Sequence, residues 1–273
     1  MESFFSFLEK RVDDSSSLLC VGLDPHIPDL KEPTAASALD FCLTLGKQTA
    51  PYPAAFKPTA AFFEVFGAEG WVALQQVIEA IHSESVRLGS LIPVILDAKR
   101  GDIASTADAY AQSAFEQLGA NCITLNPYLG YDSIKPFITN SEKGTFLLCK
   151  TSNPGSGDLQ DLILENGNTL YEQVAKLAQS WNTKNNIGLV VGATHPEALA
   201  KVRAAAPDLW FLSPGIGAQG GELESALKAG LRKDGKGMLL PVSRGISRAE
   251  NHGRAAAELR DQIIDIQRSF HQD

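Results

Sequence analysis

Nothing in the 273-residue chain approaches the roughly 18 consecutive apolar residues of a membrane span, so the sequence predicts no membrane-crossing segment. Lysine and arginine never gather into a run, and the formal net charge is −8. Both facts argue against a nucleic-acid footprint or a patch for anionic membranes. An acidic chain can still hold one local anion site. Cysteine is scarce: Cys20, Cys122 and Cys149 lie in apolar, strand-like runs, Cys42 lies in a helical pattern, and no C-x-x-C spacing occurs. The four are expected as small core residues of a reducing compartment. His26, His82, His195, His252 and His271 show no metal-ligand spacing, so no role is assigned to them. There is no Walker loop and no G-x-G-x-x-G between strand and helix, and Thr151-Ser152-Asn153 lacks a nucleophile-elbow context. Residues 1–17 have no basic n-region and read as a short amphipathic helix, which makes the cytoplasm the expected location.

What the chain does have is apolar residues in short, punctuated runs. At 44% hydrophobic it can bury a large core, and its length suits one (β/α)₈ domain over 1–273. Eight runs read as buried strands: 18–24, 54–58, 93–99, 122–127, 144–152, 187–192, 209–215 and 237–243, the last interrupted by Pro241. Helical spacing is expected over 34–50, 71–87 with Gly89 as its stop, and 169–181. It is also expected after Ser105 or Thr106 as cap, after Thr194 as cap, and over 249–270. One long polar insertion, 155–168, is a candidate lid. Eight strand-plus-helix units fit a TIM barrel better than an open sheet. In that architecture Asp24, Lys57, Asp97, Lys99, Asn126, Ser152, Ser213 and Arg244 all fall at strand C-termini, where barrel active sites are built. A doubly wound sheet would group its strand ends as well.

The most informative run is Val94-Ile95-Leu96-Asp97-Ala98-Lys99-Arg100-Gly101-Asp102-Ile103. Regular alternation puts Ile95, Asp97 and Lys99 on one face of a strand, so two opposite charges leave the same side. Asp102, three residues on, can bring a second carboxylate near the same ammonium. A structural ion pair is the plain alternative. Burying such charges is costly unless they pair, and a surface salt bridge needs no apolar strand beneath it, which favours a functional role. A second feature is Pro214-Gly215-Ile216-Gly217-Ala218-Gln219-Gly220-Gly221 after strand seven, followed by Ser243-Arg244-Gly245 after strand eight. Glycine lets backbone N–H groups turn towards an anion, Arg244 adds a forked and permanently charged donor, and loops seven and eight are a common phosphate position in barrels.

Asp97-x-Lys99-x-x-Asp102-Ile103-x-x-Thr106, taken with 214–221 and Ser243-Arg244, resembles the orotidine 5′-phosphate decarboxylase family. The pattern is most similar to the longer bacterial (type 2) subgroup, in which Arg-Gly-Asp follows the catalytic lysine. The resemblance extends from Leu18 to the last helix. It implies a homodimeric TIM barrel, a carboxy-lyase that converts orotidine 5′-monophosphate to uridine 5′-monophosphate and CO₂ in pyrimidine biosynthesis, without metal or cofactor. By matching positions, it implies that Asp24 and Lys57 contact the ribose hydroxyls and that Lys99 delivers a proton to C6. Asp97 is implied close to the departing carboxylate, and Asp102, Ile103 and Thr106 in the neighbouring subunit's site. Ser152 is implied at the pyrimidine edge, Gln219 between base and phosphate, Arg244 on the phosphate, and Pro214 and Ser243 among the substrate-binding residues.

Elementary chemistry agrees with those roles. A carbanion formed on CO₂ loss needs a nearby positive charge and a proton donor, and an ammonium between carboxylates stays protonated. A Schiff-base lysine would need the opposite shift. Remote phosphate binding can close a lid, either 155–168 or the Gln219 loop. Sister decarboxylases and synthases acting on sugar phosphates share D-x-K-x-x-D but depend on Mg²⁺; Lys57 and the Gly-Ala-Gln-Gly-Gly loop favour the nucleotide enzyme. A barrel that only binds a phosphorylated ligand is the alternative outside enzymes.

Overall fold

The computed structural model describes residues 2–215 and 220–270. Its strands are β1 (Leu19–Leu23), β2 (Ala55–Pro58), β3 (Ile95–Arg100), β4 (Cys122–Leu125), β5 (Gly144–Lys150), β6 (Ile187–Val191), β7 (Phe211–Leu212) and β8 (Met238–Val242). The helices are α1 (Phe4–Ser15), α2 (Ala35–Thr49), α3 (Ala61–Glu64), α4 (Gly67–Leu88), α5 (Ala104–Gln112) and α6 (Tyr131–Ile138), then α7 (Leu170–Trp181), α8 (Pro196–Ala205), α9 (Gly220–Gly230), α10 (Arg244–Ser247) and α11 (His252–Ser269). Every strand pair is parallel, in the order β2-β1-β8-β7-β6-β5-β4-β3. Parallel bridges Phe56–Val94 and Thr59–Asp97 join β2 to β3 and close the ring. The fold is the expected (β/α)₈ barrel. Buried strands explain the near-continuous apolar runs, since both faces of a parallel sheet are covered. None of the described helices is long and apolar enough to cross a membrane.

Several element boundaries differ from the sequence reading, each for a local reason. Neither Ser105 nor Thr106 caps α5; Ile103 stands at the N-cap without a side-chain bond, because Ala104 enters the helix through a left-handed φ of 49°. His195, not Thr194, precedes α8, with Pro196 filling its first turn. The helix expected over 249–270 starts at His252 as α11, where Asn251 accepts from Arg254 N–H, and the short α10 precedes it as a separate turn. Pro241 is accommodated within β8, opposite Cys20 of β1. Helix α6 went unread because it is eight residues long and carries Pro136.

The end of the barrel away from the strand C-termini is closed by α1. Phe4 and Phe5 are fully buried, and Phe4 N–H donates to Ser141 O and Phe5 N–H to Asn185 O in loops that precede β5 and β6. The Phe5 ring stacks on Trp210 at 6.2 Å and meets Phe146 edge-on at 5.5 Å. Gly188 of β6 makes room for that cluster, since a Cβ there would lie 2.6 Å from the Phe146 ring and 2.7 Å from Trp210 O. Glu9 ties the helix down by accepting from Trp210 Nε1 at 3.2 Å and from Arg232 at 2.6 Å. All four cysteines are free and buried. Burial pushes the Cys20 thiol up to about 12, which keeps it protonated and inert.

Phe5→Ala should therefore cost about 3–5 kcal/mol of stability, the usual range for an emptied aromatic core position. Denaturant unfolding measures it; a loss below ~1 kcal/mol would mean that α1 is not a structural plug.

Candidate active site

At the C-terminal ends of the strands lies a cavity of about 540 Å³ with two unlike halves. Asp24, Lys57, Asp97, Lys99 and Thr124, from β1 to β4 and the turns that follow them, make a charged wall. Leu148, Val190, Leu212 and Val242, one from each of β5 to β8, make an apolar floor. A flat ring and a charged group can therefore be held side by side.

The charged wall is a continuous row. Lys57, 7% exposed, donates through Nζ to Asp97 Oδ2 at 3.0 Å and to Thr59 Oγ1 at 3.0 Å. Lys99 Nζ lies 2.6 Å from Asp97 Oδ1, and Thr124 Oγ1 donates to that same oxygen at 2.8 Å. Asp97 thus accepts three bonds from two cations and a hydroxyl. Burial pushes its carboxyl up, but Lys57 and Lys99 outweigh this and hold it well below the usual carboxylate range. Burial pushes Lys57 down, and the charges of Asp24 and Asp97 more than offset it, leaving the ammonium above its ordinary value. Both groups are fixed in their charged forms.

Asp97 and Lys99 do reach one cavity, but not by regular alternation. Leu96 pairs with Ile123 and Arg100 with Leu125, so β3 carries two extra residues against β4. Lys99 itself has φ of +48°, a left-handed conformation that costs a non-glycine residue about 1–2 kcal/mol. Its side chain is 49% exposed and projects from the bulge over the cavity. Such strain persists only where surroundings fix it.

Asp24 is buried after β1, and its Oδ1 has no hydrogen-bond partner among the described residues. Ser243 Oγ, on the same cavity, is likewise buried and unpartnered. Buried polar atoms are normally satisfied, so this corner suits hydroxyls of a bound molecule. Ser152 and Pro214 line the cavity. Arg244 does not line it; exposed at the start of α10, it lines an adjoining cavity of about 500 Å³ that shares Pro241, Val242 and Ser243 with the first. Gln219 lies outside the described residues.

Asp102, Ile103 and Thr106 stand apart. Within the chain Asp102 makes no ion pair with Lys99; its Oδ1 accepts from Ile103 N–H at 2.8 Å. Ile103 is 52% exposed and Thr106 is exposed, and none of the three lines the charged cavity. Of the other strand-end residues, Asn126 caps a turn by accepting from Tyr128 N–H, and Ser213 is buried off the cavity.

Sequence reading missed three contributors. Thr124 looks like an ordinary strand threonine, and its bonds cross from β4 to β3; Thr59 accepts from Lys57 only two positions back, just past the end of β2, a spacing that carries no signal of its own. Lys150, buried at the end of β5, reaches Asp161 Oδ1 at 2.7 Å and Ser156 Oγ at 3.2 Å, while Gln160 Oε1 accepts from Thr151 N–H at 2.9 Å. These bonds tie the first half of the 155–168 insertion to the barrel and bring Gln160 onto the cavity wall. Only the pairing of a strand-end lysine with a carboxylate in a polar loop could have signalled it.

Eight parallel strands closed into a barrel, with charges from neighbouring strand ends converging on one cavity, define an enzyme of the (β/α)₈ class. The chain belongs to the orotidine 5′-phosphate decarboxylase / HUMPS family, which it matches over residues 17–259, and it is a carboxy-lyase. A protein of Roseiflexus castenholzii named orotidine 5′-phosphate decarboxylase is 47% identical over 272 residues, covering 96% of this chain and 97% of that one. The solved OMP decarboxylase of Leishmania donovani is 54% identical, with a TM-score of 0.87 over 97% of this chain and 99% of that one. The UMP synthase of the same organism is 56% identical with a TM-score of 0.88; the chain is covered to 98% but spans only 57% of that protein.

Two outcomes test the charged row. Asp97→Asn should lower stability at neutral pH by about 3 kcal/mol, because it strips a buried lysine of its nearest counter-charge. The depressed carboxyl of Asp97 contributes fully above its unfolded value near pH 4 and loses that contribution as pH falls towards the folded value. The gap between wild type and Asp97→Asn in denaturant titrations should therefore narrow below about pH 4. In the insertion, Lys150→Met should speed proteolytic cleavage within 155–168; an unchanged cleavage rate would show that the Asp161 pair does not hold the segment.

Proposed function

We propose that the chain decarboxylates orotidine 5′-monophosphate to uridine 5′-monophosphate, with Lys99 as proton donor. The observation that carries the reading is the Lys57–Asp97–Lys99 row, in which a partly exposed ammonium faces the cavity 2.6 Å from a buried carboxylate. The C6–carboxylate bond breaks, CO₂ leaves, and the electron pair stays on C6 of the ring. That carbanion is stabilised by the adjacent ammonium and takes a proton from Lys99 Nζ; water then reprotonates the amine. No electron acceptor is needed, because the bonding pair ends in the new C6–H bond.

The remaining roles follow the two halves of the cavity. The pyrimidine lies on the apolar floor with Ser152 at its edge, and Pro214 packs beside it. Asp24 accepts from the ribose hydroxyls, which supplies the partner its buried Oδ1 lacks, and Lys57 and Ser243 complete that corner. The phosphate is held by Arg244, which lines the cavity adjoining the first, and by Gln219 as the family resemblance implies. The enzyme acts as a homodimer of the type 2 kind in the cytoplasm, where four free thiols are stable. Asp102, Ile103 and Thr106, which do not line their own chain's charged cavity, then complete the partner's site. The Asp102 carboxylate adds a second negative neighbour for the partner's ammonium.

Loss of ultraviolet absorbance on adding orotidine 5′-monophosphate is the direct assay, and Lys99→Ala should abolish it in a folded protein. Substantial residual decarboxylation would remove Lys99 from the proton-donor role. Inactivation by EDTA with recovery on adding Mg²⁺ would instead favour the sugar-phosphate sister enzymes. Mixing inactive Lys99→Ala with inactive Asp102→Ala protomers should restore activity, since one site of a hybrid dimer is intact. No recovery after demonstrated subunit exchange would place Asp102 in its own chain's site.

A further inference from the structure

We propose that Thr124 is a positioning residue for the proton donor: one buried hydroxyl sets both the left-handed turn of Lys99 and the orientation of Asp97. The proposal rests on the reading of Lys99 as the donor. Thr124 sits on β4 opposite the β3 bulge and is 1% exposed. Its Oγ1 accepts from Ala98 N–H at 3.1 Å and from Lys99 N–H at 3.0 Å, and it donates to Asp97 Oδ1 at 2.8 Å. A hydroxyl has two lone pairs and one proton, and all three are in use. Because both lone pairs receive backbone N–H groups, the proton is directed to the carboxylate.

Consecutive N–H groups of an extended strand point to opposite sides and cannot share an acceptor. Their convergence on one oxygen requires the chain to turn between them, at Ala98. Lys99, with φ of +48°, follows as the left-handed member of the pair, so that 98 and 99 together have the nest-like geometry of residues of opposite hand, with the Thr124 hydroxyl seated on it. The ladder between β3 and β4 lapses between Leu96–Ile123 and Arg100–Leu125, and the Thr124 side chain satisfies donors that the ladder leaves free. Without the hydroxyl, two N–H groups of the bulge lose their acceptor and Asp97 loses the one uncharged donor it has among the described residues. Nothing then fixes Lys99 Nζ relative to Asp97 except the ion pair itself, which a half-exposed lysine can satisfy from several rotamers.

Thr124→Val keeps the shape and removes the hydroxyl; Thr124→Ser keeps the hydroxyl. Since a misplacement of about 1 Å at a reacting group costs ~10²-fold, Thr124→Val should lower kcat about 100-fold. KM for orotidine 5′-monophosphate and the affinity for uridine 5′-monophosphate should stay within threefold, and Thr124→Ser should restore kcat to within about threefold of wild type. A merely structural role predicts instead that KM and product affinity deteriorate with kcat, and that outcome overturns the proposal. So does a wild-type kcat in Thr124→Val. If Thr124→Val does not fold, Thr124→Cys decides, because sulfur is a longer and weaker partner at the same position. A kcat lowered at least tenfold at unchanged KM supports the proposal, and an unchanged kcat overturns it. Lys99→Ala, assayed beside these variants, separates the two levels. Inactive Lys99→Ala with fully active Thr124→Val refutes Thr124 alone, whereas active Lys99→Ala refutes the reading beneath it.

Discussion

The active end of this barrel depends on placing opposite charges where water is largely excluded. Lys57 and Asp97 lie 3.0 Å apart with side chains 9% and 13% exposed, and removing either leaves an uncompensated buried charge. The row is tolerable because it is neutral as a group: Asp24 and Asp97 balance Lys57 and Lys99. Asp24 and Asp97 strengthen the charged form of Lys57, and Lys57 and Lys99 strengthen that of Asp97. Protonation states are thus set by the fold before any ligand arrives, which is the preorganisation that makes fixed charges effective in catalysis.

That arrangement constrains the backbone around it. A regular β3 would continue its ladder with β4, and Ala98 and Lys99 would share no acceptor. The two-residue bulge breaks the ladder between Leu96 and Arg100 and lifts Lys99 into a left-handed turn over the cavity. A second left-handed non-glycine residue, Ala104, follows five positions later, so Asp102 stands between two strained points on the loop that leads to α5. Strain bracketing one carboxylate is characteristic of segments whose conformation serves a site rather than the core.

The sequence made the barrel and most of the charged row legible, because both leave local signals. Eight apolar runs mark strands covered on both faces, and Asp24, Lys57, Asp97 and Lys99 each interrupt such a run at its end. The bulge left no trace, since a period of two assumes the regularity that 96–100 abandons. Thr124 was invisible for a related reason: threonine is a common strand residue, and its partners are 25 to 27 positions away. Caps assigned to Ser105 and Thr194 failed where a left-handed Ala104 or a proline at the first turn had already fixed the helix start. The Lys150–Asp161 pair spans a polar insertion without periodicity, so no pattern announced it.

The two ends of the barrel divide stability from chemistry, and the division explains how a costly site is tolerated. At one end α1, Phe146 and Trp210 pack rings at 5.5 and 6.2 Å, and Glu9 satisfies both the indole N–H and Arg232. No unpaired charge is buried among these groups. At the other end Asp24 and Ser243 keep buried polar atoms unpartnered, and Lys99 keeps a strained backbone. A buried atom without a partner costs stability, and a ligand hydroxyl that reaches it offsets that cost, whereas the turn at Lys99 is held by the Thr124 hydroxyl. A site built this way gains more from binding than contact area alone would give, because ligand hydroxyls relieve an existing penalty. The rigid plug at the far end keeps the eight strand ends in register while that penalty is carried.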